Sequence, residues 1–557
     1  MNLFFKQKEL PTSSERIFSF PDLKMKVLQM LQDYTEMSVK DVGISEGLHE
    51  SREEHRRMIS RCVRSCNSGN RGARETVREL IETYLVRELK ISREEVLRMI
   101  PFNDPKQMTP WQQFEVLIFD MEHENESYGF RRLCELYGWG KDTYTVSHQE
   151  ISRAYMNQNP VLTYDEELKV LVQLLYAETV GLGIIDTLNY QKGSLEEIQI
   201  GMSGQVEQQY DYNTFFREDN AREICRVGIH VMVRGTTIWL KALSFETEKE
   251  VQRVLRNLIQ DAGNGELTKN HPMLVVDTVD GRRISVSRPP MTEAWAGLIR
   301  KFDTIKEVSL EKLFSVYEKE KIVPQLLRQL VRSGRNMAIT GEMASGKTTL
   351  FRACLAETRQ DMNIRVIEAD SFELNIRSFL PKANSLTMRV TERTPSEEVL
   401  AFARKTTGQI FAIGEINSAS MAMMAMDLSK IASQLFFSAH YITTEHMIAD
   451  FVNAKLCNGG YSEELLAELD VVRCLGFDVH LRVKQGRRYV QRITEIVPKL
   501  NKQQHKYSTY EIRPIYQYDE EKEQGVLLNS PSEITYERAK QVLGKEEYLE
   551  FVRFFAG

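Results

Sequence analysis

Hydrophobic positions alternate with strongly charged runs through about the first 155 residues, and this part of the chain reads as helix, with apolar residues at every third or fourth position where the pattern is clearest. The spacing is plain at residues 73–85, after a break at Gly69-Asn-Arg-Gly72. Glu50-Ser-Arg-Glu-Glu-His-Arg-Arg-Met58 reads as solvated helix surface, Ile100-Pro-Phe-Asn-Asp-Pro105 as a loop, and helices resume at Gln113 and Tyr128. From about residue 156 the period changes. A helix beginning at Tyr164 runs toward Gly181 and Gly183, and strand-like pieces follow at residues 196–201, 228–235 and 236–241. Residues 246–261 form a long amphipathic helix with Val251, Leu255 and Ile259 on one face, and residues 273–286 form a hairpin turning at Asp280-Gly281. From about residue 306 a helix capped by Ser309 and a second helix at 321–333 lead into buried-strand runs, each followed by polar groups: 337–340, 365–370, 409–415 and 435–440. The pattern divides the chain into a helical extension (1–155), an α+β domain (156–305) and an α/β domain (306–557).

Composition narrows this picture only a little. The chain has 557 residues, 42% hydrophobic and 27% charged, with a net charge of −6. The length suggests two to four domains with ordinary cores. The acidic balance disfavours a dedicated nucleic-acid binder, so no direct nucleic-acid contact is expected. The seven cysteines are scattered. Cys62 and Cys66 could share a helix face, but no second pair completes a metal site, and reduced cysteines in a cytoplasmic protein are expected. Met1-Asn-Leu-Phe-Phe-Lys6 is followed by charge rather than a long apolar run, and no stretch approaches a membrane span. Membrane association is expected only through a partner.

The chemistry is concentrated in Asn336-Met-Ala-Ile-Thr-Gly341-Glu-Met-Ala344-Ser345-Gly346-Lys347-Thr348-Thr349-Leu350. It reads as strand, G-x-x-x-x-G-K-T loop and helix, the pattern that cradles phosphate. Glycine allows the backbone N–H groups to approach an anion closely, and the helix start adds the positive end of its dipole. In this pattern Lys347 reaches the β/γ-phosphates of a nucleoside triphosphate and the Thr348 hydroxyl ligates Mg²⁺, so ATP and Mg²⁺ are the expected ligands. Further on, one strand ends in Glu368-Ala-Asp370 and another in Gly414-Glu415. A carboxylate at a buried strand end is costly unless it is used or paired. Glu368 is a candidate for metal or water support, and Glu415 for orienting water. A third strand ends in His440; a histidine there is more often structural, but it is the third polar group at such an end. Arg389 and Arg393 read as two arginines on one strand, suited to phosphate oxygens or to a salt-bridged sheet edge.

These elements, in this order, resemble the ATPases of type II and type IV secretion systems, and among them the tight-adherence (Flp-type) pilus ATPases. The resemblance covers roughly residues 165–515. Its motifs are the P-loop at 341–349, an acidic box at Glu368-Ala-Asp370, the arginine strand Arg389-Val-Thr-Glu-Arg393, Gly414-Glu415 and Ser438-Ala-His440. Leu195-Glu-Glu-Ile-Gln-Ile200, Asp280-Gly-Arg-Arg-Ile284 and Ile299-Arg-Lys-Phe302 resemble the family's preceding domain. Phe477-Asp-Val-His-Leu-Arg482 and Arg492-Ile-Thr-Glu-Ile-Val497 resemble its closing strands. Asn417 stands where the family has an arginine, and Ile431-Ala-Ser-Gln434 lacks its Gly-His pair. The resemblance implies a RecA-like P-loop domain preceded by a smaller, PAS-like α+β domain. It implies a homo-hexamer at the cytoplasmic face of the membrane that passes motion to a polytopic inner-membrane platform protein. Arg283 and Arg300 then become nucleotide contacts from the preceding domain, with Lys347, Glu368, Glu415 and His440 as catalytic groups. A conjugation-type ATPase, or a nucleotide-binding ring subunit with weak hydrolysis, has the same features.

Overall fold

The computed structural model describes residues 18–36, 57–67, 70–122, 128–192, 195–206, 224–260, 266–278, 280–301, 309–314, 322–359, 361–369, 373–391, 393–458, 463–484, 487–499 and 509–556. Residues 50–56, Gly69, Phe302 and Asp370 lie outside them. The chain divides into two units, Met1–Asp303 and Thr304–Gly557.

In the first unit the strands are β1 (Leu195–Ile200), β2 (Gln205–Val206), β3 (Ile224–Val227), β4 (Ile229–Val233), β5 (Thr236–Trp239), β6 (Phe245–Thr247), β7 (Met273–Asp277), β8 (Arg283–Ser287) and β9 (Ala296–Arg300). Six of them form an antiparallel sheet in the order β5-β4-β1-β9-β8-β7, and β2-β3-β6 form a small second one. Gly281, at φ +85°, turns the β7–β8 hairpin as its Asp-Gly pair predicts. The helix Glu248–Ile259 starts from Thr247, whose hydroxyl accepts the Glu250 N–H. Its buried stripe is Val251, Val254, Leu255 and Leu258; Ile259, expected on that face, is only half-buried.

The helices of the first 155 residues are built into the same core. Buried side chains from Leu23 to Ile299 form one cluster. At its centre lies the helix Tyr164–Thr179, capped by reciprocal bonds between Thr163 and Glu166 and buried nearly all round from Glu167 onward. Burying polar groups beside such a helix demands partners. Arg74, on the helix Arg71–Thr83, gives Nη2 to Asp186 at 2.7 Å and to Gln173 at 3.0 Å, with its guanidinium 4.2 Å from the Tyr190 ring centre. Glu115 accepts from Trp111 Nε1 at 2.9 Å and from the Thr187 hydroxyl at 2.6 Å.

The second unit is a mixed α/β domain. Its strands are β10 (Met337–Gly341), β11 (Ile364–Ala369), β12 (Ser385–Val390), β13 (Ile410–Ile416), β14 (Gln434–Ala439), β15 (Phe477–Lys484), β16 (Arg487–Pro498), β17 (Tyr510–Asp519) and β18 (Gln524–Leu527). They form one sheet in the order β12-β11-β13-β14-β10-β15-β16-β17-β18. The first six in that order run parallel, and an antiparallel meander continues from β15. The continuous apolar runs follow from helices on both faces. Met337 and Ile339 enter one core, with the helices Ile322–Arg332 and Lys347–Ala356; Ala338 enters the other, with Ala419–Ser429, Thr444–Asn458 and Glu464–Cys474. Among the described residues no helix is long and apolar enough to cross a membrane.

The buried Glu115 gives a pH test. Burial pushes its carboxyl up to about 7 from an ordinary 4.5, against the hydrogen bonds from Thr187 and Trp111. Because the folded value lies above the unfolded one, its contribution is fully present below pH 4.5 and is lost as pH rises through 7. Urea unfolding of Glu115→Gln beside the unsubstituted chain should show the latter losing about 3 kcal/mol of relative stability across that window. A stability difference flat in pH would contradict burial as the cause.

Candidate functional site: a phosphate loop and a row of strand ends

β10 ends at Gly341, and the chain turns through residues 342–346 into the helix Lys347–Ala356. Gly341 has φ +142°, and a Cβ there would lie 2.3 Å from the Leu481 carbonyl oxygen, so the loop closes against β15 only with glycine. Gly346 has φ +91° and Ala344 φ +59°, so the loop carries left-handed turns that aim backbone N–H groups inward. Ser345 is fully buried, and its Oγ has no hydrogen-bond partner among the described residues. Lys347 and the half-buried Thr348 and Thr349 open the helix, where N–H groups lack intrahelical acceptors. These features fit a phosphate group in the loop.

The parallel sheet sends the carboxyl ends of its strands to one edge, where α/β folds place their ligands. In the spatial order β10, β14, β13, β11, β12, those ends carry Lys347, His440, Glu415, Glu368 and Arg389. The first three members touch. Lys347 Nζ donates to the carbonyls of Gly341 at 3.1 Å and Glu342 at 2.7 Å and lies 3.1 Å from His440 Nδ1. His440 Nε2 lies 2.7 Å from Glu415 Oε1. An ammonium only donates and a carboxylate only accepts, so these partners assign His440 as the neutral tautomer with its proton on Nε2. Glu368 is 2% exposed, accepts the Leu374 N–H at 2.7 Å, and has Arg389 as its register partner on β12.

Glu415 reaches His440 because β13 carries a bulge. Ile413 pairs with Phe437 and Ile416 with Ala439, so Gly414 and Glu415 together oppose the single residue Ser438. The Ser438 hydroxyl donates to the Gly414 carbonyl within this irregularity. A Cβ at 414 would lie 3.0 Å from Glu368 Cγ, so the glycine lets Glu368 pack here without moving aside. The Gly-Glu pair therefore packs one carboxylate behind the strand and aims the other along its edge.

Two groups of residues at the loop were missed in the sequence. Arg488, on β16, donates Nε to the Ala344 carbonyl at 2.9 Å and braces the loop from outside. Beneath the loop, Thr340 donates to Asp478, which also accepts from Thr444 at 2.6 Å and from Arg492 at 3.3 Å. His480 Nδ1 lies 2.9 Å from Thr340 Oγ1. Burial, then the charges of Arg492, Lys347 and Arg482, lower His480 to about 3, so it stays neutral. Burial pushes the fully enclosed Asp478 carboxyl above its usual range. Both groups depend on strand pairings between residues more than a hundred positions apart, which leave no local signal.

The remaining candidates are placed differently. Arg389 lies on β12, but Arg393 does not: the strand stops at Val390, and Thr391 and Thr394 bond each other across a turn that leaves Arg393 exposed. Arg283 and Arg300 belong to the first unit, as register partners on β8 and β9. Asp277 holds Arg283 at 3.3 Å and Glu197 holds Arg300 at 3.1 Å.

No family model matches the chain. An uncharacterized protein of Bacillus anthracis is 23% identical over 347 residues, covering 60% of this chain and 70% of that protein. Solved structures similar to the chain include the VirB11 ATPase of the Brucella suis type IV secretion system in complex with sulphate. That pair shares 17% identity over 54% of this chain and 89% of the other, at a TM-score of 0.27. The pilus retraction motor PilT with bound ADP shares 13% identity over 64% and 93%, at 0.37. The Legionella pneumophila ATPase DotB shares 11% over 64% and 92%, at 0.35. At such TM-scores the likeness decides nothing by itself. The chain's own geometry defines a mixed α/β domain with the glycine-flanked loop 341–346 at the end of a central parallel strand.

Gly414→Ala should force Glu368 aside and cost about 1–3 kcal/mol, as overpacking does. In a Glu368→Ala background that cost should shrink in a double-mutant cycle read by urea unfolding. Equal costs in both backgrounds would remove the steric link between the two acids' strands.

Proposed function

We propose that the protein hydrolyses ATP with Mg²⁺ as a RecA-like motor ATPase of the secretion and pilus-assembly class. The observation that carries this assignment is the continuous row Lys347–His440–Glu415 beside the loop at 341–349. The motif resemblance over residues 165–515, including the tight-adherence subtype, supports the same assignment.

In this reading Gly341, Ala344, Ser345, Gly346 and Thr349 form the phosphate cradle, and Lys347 turns from the loop carbonyls to the phosphate oxygens. Thr348, with Glu368 in support, would hold Mg²⁺, which supplies neutralisation of phosphate charge when bound. Glu415 takes a proton from water as the water oxygen bonds to the γ-phosphorus. The bond from that phosphorus to the β–γ bridging oxygen breaks, and ADP and phosphate leave. His440 keeps Glu415 aimed through its Nε2 proton. A phosphate that draws Lys347 away from Nδ1 changes the hold on His440, so the row also senses the γ-phosphate. Arg389 and Arg393 serve the developing charge from the next strand end and its turn. Arg283 and Arg300, two guanidiniums side by side on the first unit's sheet, contact nucleotide from that unit. The working form is a homo-hexamer at the cytoplasmic face of the membrane. It drives a polytopic inner-membrane platform protein, without touching nucleic acid itself.

A steady-state ATPase assay tests this. Glu415→Gln should lower kcat at least about a hundredfold while leaving ATP binding intact, the loss general-base removal gives. Lys347→Ala should abolish saturable ATP binding. An unchanged rate in Glu415→Gln would sink the catalytic assignment.

A further inference from the structure

The first unit contains a cavity of about 750 Å³, separate from anything assigned above. Its size suits a nucleotide- or sugar-phosphate-sized molecule. Arg71, Arg74 and Arg78 line it from successive turns of the helix Arg71–Thr83, since residues three and four apart share a helix face. Glu115, Phe119 and Tyr190 are among the groups on the other walls.

The lining contains acids as well as bases, so the balance must be taken bond by bond. The acids are engaged. Both Glu115 oxygens accept, from Trp111 and Thr187. Glu122 accepts from Gln191 at 2.6 Å, and Glu166 caps its own helix through Thr163. Glu75 is shared by Arg78 at 3.4 Å and Arg74 at 3.8 Å. The guanidiniums are incompletely compensated by the protein: the Nε atoms of Arg74 and Arg78 are buried with no hydrogen-bond partner among the described residues. Arg71 is exposed at the cavity's rim. Burial, with the neighbouring Arg74 charge, holds the Arg78 guanidinium below its ordinary value, which marks it as under-compensated. Arg74 itself is fixed between Asp186 and the Tyr190 ring, so this wall is preorganised. Three arginines on one helix face suit an anion with several oxygens on one centre, which can accept from more than one guanidinium at once.

We propose that this cavity binds a small phosphorylated molecule, held by Arg71, Arg74 and Arg78. The site is independent of the phosphate loop, and the test keeps the two apart. Inorganic pyrophosphate and citrate are titrated calorimetrically into the full-length chain carrying Lys347→Ala, so that the loop's lysine does not contribute. Pyrophosphate should bind saturably at one site per chain, with Kd below about 1 mM, a modest affinity for a fragment of the full ligand. Arg71→Ala and Arg78→Ala should each weaken it at least tenfold. Arg71 is exposed, so Arg71→Ala decides the matter if Arg78→Ala does not fold by circular dichroism. Absence of saturable heat, or an affinity unchanged by Arg71→Ala, overturns the proposal. Tighter binding of citrate than of pyrophosphate overturns the phosphate class.

Discussion

The second unit depends on how one buried ammonium is satisfied. Lys347 is 8% exposed, at the first turn of a helix whose dipole already presents positive charge. A cation in that position is costly unless its three N–H groups find acceptors. Among its partners are two carbonyls of its own loop and the His440 ring. The loop is therefore shaped around the ammonium. Its path against β15 is open only to glycine at 341, and Arg488 braces it from β16.

The contact of Lys347 with His440 leads on to Glu415, because the imidazole has only two nitrogens and both are committed. The sheet order makes this possible. β14 lies between β10 and β13, so His440 stands between the lysine and the acid without long side-chain detours. The bulge at Gly414–Glu415 supplies the last adjustment, since regular pairing would give Glu415 a partner on β14 and a different direction. Beneath the loop, the Thr340–Asp478–Thr444 bonds tie β10 to β15 and to the helix that follows His440.

Much of this edge was legible in the sequence, for a physical reason. Strands covered by helices on both faces show as unbroken apolar runs, and a polar residue at the end of such a run must have a purpose or a partner. The runs ending at Glu368, Glu415 and His440 were found that way. The direction of Glu415 was not, because a bulge adds one residue and leaves no periodic trace beyond Gly414. Arg393 was placed on a strand because extended residues flank it; the Thr391–Thr394 bonds that turn the chain are local and compete with the ladder. Asp478, His480 and Arg488 were invisible because their roles exist only once β15 and β16 are set beside β10. The first unit's cavity was likewise hidden, since an arginine stripe on an amphipathic helix looks like ordinary solvated surface.

The central claim is that the loop at 341–349 holds magnesium-bound nucleotide. Equilibrium titration of a fluorescent ADP derivative into the full-length chain, with and without Mg²⁺, measures this directly. Saturable binding in the micromolar range that weakens when Mg²⁺ is removed is the predicted result. No saturable binding in the presence of Mg²⁺ would contradict the account.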